Sequence, residues 1–115
     1  MSIPKYGRAT PLQMDMLGLG GEICRWFHQR APTDEERMSA MRASRKVLCR
    51  MTGLDRGYDL QAWHTELESD RKHSPEYMHP YAWGVVRPRI LQLIADPDRF
   101  RLVELIERSE RSQGK

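Results

Sequence analysis

The sequence has no apolar run approaching the roughly 18–20 residues that a membrane span needs. Its opening residues, Met1 to Lys5, lack the apolar stretch of a secretory signal, so an intracellular, cytoplasmic protein is expected. Cysteine is scarce. Cys24 and Cys49 are the only two, and neither belongs to a C-x-x-C pair. Both sit in apolar helical patterns, which predicts reduced thiols packed as small hydrophobes rather than a disulfide or a nucleophile. Lysine is scarce too, with four against fifteen arginines. Arginine suits forked contacts with carboxylate and phosphate, although a GC-rich genome yields the same skew. The net charge of +3 is too small for a histone-like polycation. No stretch alternates apolar and polar residues for long, so no sheet is expected.

Several chemical signatures are also missing. Leu17-Gly18-Leu19-Gly20-Gly21 has the glycines of a phosphate loop, but no strand precedes it and no Gly-Lys-Ser/Thr follows. Close backbone packing explains it better. His73, Glu76 and His79 are near one another, yet Ser74-Pro75 interrupts any single ligand-bearing helix. There is no His-Glu-x-x-His. No metal, no cofactor and no catalytic residue is therefore predicted, and the chain reads as a non-enzyme.

What remains is a strong helical grammar. It predicts an all-α fold, a compact bundle of about five helices: a flexible arm over residues 1–9, one helical domain over 10–108 and a frayed tail over 109–115. Thr10 and Pro11 open the first helix as N-cap and first helical residue. That helix breaks at the glycines and resumes through Ile23, Cys24, Trp26 and Phe27 as far as Ala31. Thr33 and Glu36 form a capping box for the second, which Gly53 ends as the glycine just past the helix. Asp59 caps the third, with Tyr58 and Trp63 spaced as a hydrophobic staple. Leu60, Trp63 and Leu67 form its apolar face. Residues 74–81 read as an ordered connector. The fourth helix spans roughly Tyr81 to Ala95, started or kinked at Pro88, with Ile90, Leu91, Leu93 and Ile94 in the core. Asp96-Pro97-Asp98 caps a fifth helix, whose apolar face is Phe100, Val103, Leu105 and Ile106.

Residues 44–63 carry a resemblance. Met51-Thr52-Gly53, then Gly57-Tyr58-Asp59 and Trp63, resemble a helix–turn–helix unit of bacterial HEAT-repeat-like proteins, with Arg56 where a Phe is usual and Glu66 where a second Trp is often found. The matching residues are structural. The resemblance implies HEAT-like helix pairs and a binding scaffold, and it carries over no catalytic residue.

The sharpest candidate site is a basic stripe. Arg42, Arg45, Lys46 and Arg50 share one face of the second helix at i, i+3, i+4 and i+8, and Arg56 follows in the adjoining loop. A second group, Arg87, Arg89, Arg99 and Arg101, surrounds two helix starts. The plainest account of the stripe is a solvated face that complements the helix dipole, since Asp34, Glu35 and Glu36 nearly balance it. As a functional surface it fits an acidic protein partner first, and nucleic-acid phosphates second. Tyr77, Tyr81 and Trp83 form an aromatic cluster that is either a binding hot spot or a connector packed on the core; packing is the favoured account.

Overall fold

A computed structural model describes residues 9–23 and 31–113. Except for Ala9, the expected N-terminal arm lies outside them, as do Cys24 and the expected continuation of the first helix over residues 24–30. Six helices are described, and no strand among those residues. They are α1 (Pro11–Leu19), α2 (Asp34–Thr52), α3 (Leu60–Ser69), α4 (Ser74–Tyr77), α5 (Pro80–Ile94) and α6 (Pro97–Gln113). The count exceeds five because the connector closes one helical turn at α4. No described helix is long and apolar enough to cross a membrane.

The caps follow the local chemistry. Thr10 Oγ1 accepts from Gln13 N–H at 3.2 Å, and Gln13 Oε1 accepts from Thr10 N–H at 2.8 Å. Thr33 and Glu36 make the same reciprocal pair at 3.1 and 2.8 Å. Asp59 accepts from Ala62 N–H. Gly53 takes the left-handed conformation, φ 73°, that lets it receive the chain as α2 stops.

Short α1 is the hub. Leu12, Met16, Leu17 and Leu19 are wholly buried, and α1 packs most extensively on α2, with α3, α4 and α5 around it. The glycine run serves close approach here. A Cβ on Gly18 would collide with Ser44 of α2, and one on Gly20 with Leu93 of α5. Helix α4 docks on the start of α1: Gln13 Nε2 donates to the carbonyls of Tyr77 and His79, and Glu76 Oε2 accepts from Leu12 N–H. Glu76 is thus occupied by the backbone of α1, while His73 faces Asp70 and the Met51 carbonyl.

The expected staple residues Tyr58 and Trp63 are both buried, and Trp63 Nε1 donates to Gly57 O at 2.9 Å. Two predicted core faces shift. In α5, Ala82, Val86, Ile90 and Leu93 are buried, and Leu91 is exposed. Helix α5 runs through Pro88, which has no N–H to give the carbonyl one turn back. In α6 the buried residues are Arg99, Leu102 and Ile106, while Phe100 and Leu105 are exposed. The i, i+3, i+7 spacing is a proper helical stripe, but an arginine opens it. Helix α6 also continues to Gln113, through the segment expected to fray from Ser109.

Helices α2 and α6 run in the same direction. At their starts, Arg37 donates to Asp98 at 2.8 Å, and Arg101 bridges Asp98 and Asp34 at 2.8 and 3.0 Å. Towards their ends, Arg45 of α2 reaches Glu110 of α6. The space left between the two far ends is the feature with most chemistry in it.

Candidate functional site

The second half of α2, the turn after it and the end of α6 enclose a cleft of about 780 Å³. Arg42, Arg45, Lys46, Cys49 and Arg50 line the α2 side. Asp55 and Tyr58 supply the turn side, and Ser109 and Glu110 the α6 side. Four members of the predicted basic stripe therefore do share one concave surface.

They are not equivalent. Arg45 is locked in place. Its Nε and Nη2 donate to the two oxygens of Asp55 at 3.2 and 2.9 Å, a fork-to-fork pair. Its Nη1 lies 3.6 Å from Glu110 Oε1, and its guanidinium carbon stands 4.8 Å from the centre of the Tyr58 ring. Asp55 is itself held by the Gly57 N–H at 2.8 Å. The Arg45 hydrogen bonds, aided by that N–H, pull the Asp55 carboxyl down to about 2. Tyr58 Oη donates to Glu110 Oε2 at 2.8 Å, and burial followed by that carboxylate pushes the phenol up. Arg45 is thus a strut between helices.

Arg42, Lys46 and Arg50 make no ion pair with any other described residue. They stand at i, i+4 and i+8, one above the next along α2, with Lys46 and Arg50 exposed and Arg42 half-buried. Like charges at this spacing repel by a few tenths of a kcal/mol per pair. The favourable helix C-terminus offsets part of that. Cys49 sits among them as a free thiol, and burial raises its pKa.

The other predicted basic residues are elsewhere. Arg56 turns away to Glu66 at 2.7 Å. Arg87 lies 3.9 Å from Glu68, Arg89 pairs with Glu22 at 2.7 Å, and Arg101 with Asp34 and Asp98. Arg99 is buried, forking onto the carbonyls of Leu19 and Tyr58. None of these lines the cleft. The second arginine group is not brought beside the stripe: one member is in the core, and the others face carboxylates of the chain itself.

Asp55, Glu110 and Ser109 were not legible as site residues. A faint signal existed for two of them. Asp55-Arg56-Gly57 is an Asx-turn sequence, and Glu110 near a helix C-terminus is unfavourable unless a cation faces it.

A second polar cluster lies inside the fold. His64 Nδ1 is 2.6 Å from Tyr77 Oη, His64 Nε2 is 3.4 Å from Glu68, and Trp83 stacks near the imidazole. Burial lowers the His64 pKa and raises that of Tyr77. Tyr77 is fully buried, so this part of the aromatic cluster is core, whereas Tyr81 is exposed. Among the described residues no group of His, Cys, Asp and Glu is placed to hold a metal ion.

No family model, no curated protein and no solved structure matches this chain.

Proposed function

We propose that the chain is a small cytoplasmic protein-interaction or regulatory module, an adaptor or inhibitor, that takes an acidic segment of a partner protein in the cleft between α2 and α6. One observation carries the reading: Arg42, Lys46 and Arg50 converge on a concave surface with no carboxylate among the described residues paired to them. An anionic occupant relieves their mutual repulsion and gains three charge contacts at once. The sequence of residues 44–63 resembles a helix–turn–helix unit of HEAT-like binding scaffolds, which agrees with a binding role, although α2 and α3 make little contact with each other.

Nucleic acid is the second reading, through the same face. Two features rank it lower. The other arginines proposed from the sequence, Arg56, Arg87, Arg89, Arg99 and Arg101, are engaged within the chain, so none of them extends the cleft into a phosphate track. The aromatic in the cleft, Tyr58, is 4% exposed beneath Arg45 and offers no open face for a base. Catalysis has less support than either, because the cleft's single thiol has a raised pKa and no histidine lines the walls.

Fluorescence anisotropy with labelled poly-glutamate and labelled oligo(dT) tests the assignment. The acidic peptide should bind in a salt-sensitive way and lose binding in Lys46→Ala with Arg50→Ala. Retention of oligo(dT) at physiological salt, with a log–log slope near −0.7 per phosphate, would replace the protein partner with nucleic acid.

A further inference from the structure

The spacing of the unpaired cations says more about the occupant than its charge. Four residues of α-helix rise about 6 Å, so Arg42, Lys46 and Arg50 form a ladder of three rungs about 6 Å apart. An extended chain advances about 6.6–6.8 Å every two residues, and its alternate side chains point to one face. Over the full ladder the two periods drift apart by only about 1–2 Å. Arginine and lysine stems absorb that easily, being long and flexible.

A helical partner fits the cleft poorly. Amphipathic helices dock by apolar anchors, and the lining has no aliphatic residue to receive one, its apolar members being Cys49 and the buried Tyr58.

The opposite wall adds a negative criterion. Glu110 lines the α6 side and is held there by Tyr58 Oη at 2.8 Å and Arg45 at 3.6 Å. Ser109 stands beside it. A carboxylate on the face of the segment turned towards α6 meets Glu110 as a like charge, while an uncharged polar side chain meets a serine. Repulsion at that wall adds to the discrimination that attraction at the ladder supplies.

Resting on the binding reading above, we infer that the cleft selects an extended segment with acidic residues at three alternate positions and uncharged residues between them. The ladder reads the carboxylates, and Glu110 rejects acids at the intervening positions.

Two fluorescein-labelled peptides of equal charge and composition test this on the full chain by anisotropy at low salt. One has aspartate at alternate positions with threonine between; the other has the three aspartates in a row. The alternating peptide should bind about five- to tenfold tighter. In Glu110→Gln the contiguous peptide should gain affinity and the gap narrow. In Lys46→Ala the alternating peptide should weaken, with circular dichroism verifying the fold of both variants. Equal affinity for the two peptides overturns the spacing inference and leaves the binding assignment standing. Failure of both peptides to bind overturns both. Tighter binding of an oligo(dT) of matched charge overturns both in favour of nucleic acid.

Discussion

Arg99 holds Tyr58 by its backbone: Arg99 Nη2 donates to the Tyr58 carbonyl at 2.7 Å, and the same guanidinium donates twice to the Leu19 carbonyl at 3.0 and 3.2 Å. The side chain is 2% exposed, and burial pulls its pKa down to about 10, so it stays charged at neutral pH. One guanidinium thereby fastens the end of α1 and the turn before α3 to α6. It also fixes the backbone of the residue whose hydroxyl anchors Glu110 in the cleft.

Replacing Arg99 with Ala leaves two buried carbonyls without their donors and should lower the unfolding free energy by about 2–4 kcal/mol. Urea denaturation measures this. Arg99→Lys should recover little, because an ammonium cannot fork between two carbonyls in the same plane. A loss below about 1 kcal/mol for the alanine variant would mean that water takes over the contacts and that Arg99 is not a fastening.

Trp63 is wholly buried at the centre of the α3 face, with its indole N–H satisfied by Gly57 O. Trp63→Ala should cost on the order of 3–5 kcal/mol. Trp63→Phe keeps much of the volume and loses the hydrogen bond, so it should cost less than the alanine variant. Equal losses in the two would place the energy in the hydrogen bond rather than in packing.

The cleft residues should divide cleanly by their ion pairs. Arg45→Ala removes the fork on Asp55, the contact with Glu110 and the stack on Tyr58, at a side chain 28% exposed. Its cost should be about 1–2 kcal/mol. Lys46→Ala, one residue on and exposed, should stay within about 0.5 kcal/mol of the parent. Thermal melts of the two variants make the comparison. Equal destabilisation would contradict the distinction between strut and ladder.

Asp15 gives a pH signature. Burial on α1, with Glu76 nearby, raises its pKa from 3.8 to about 6. The folded state therefore holds a proton between those values that the unfolded chain releases. Its contribution is fully present below about pH 3.8 and is lost as the pH rises through about 6. Asp15→Asn should be more stable than the parent at pH 7 by about 1 kcal/mol after solvent screening at a half-buried site. The difference should vanish near pH 4. Chemical denaturation at several pH values checks this, and a difference independent of pH would remove Asp15 as its source.

The starts of α1, α2 and α3 and the stop of α2 were decided by the sequence alone. Thr10, Thr33, Asp59 and Gly53 act on backbone groups no more than four residues away, so their chemistry is complete within a few letters of sequence. The ladder was legible for the same reason, since the period of one helix places Arg42, Lys46 and Arg50 on one face. What the fold decided was the fate of each long side chain. Arg99 and Arg45 look like surface charges until α6 is laid against α1 and beside α2. Then one becomes core, because unsatisfied carbonyls meet it there, and the other becomes a strut, because Asp55 and Glu110 arrive from 10 and 65 residues away. Phe100 is displaced outward in the same step: the face of α6 that meets the core is the one led by Arg99. A charge is paired or free according to what the tertiary structure brings within about 4 Å of it, and no local pattern encodes that distance.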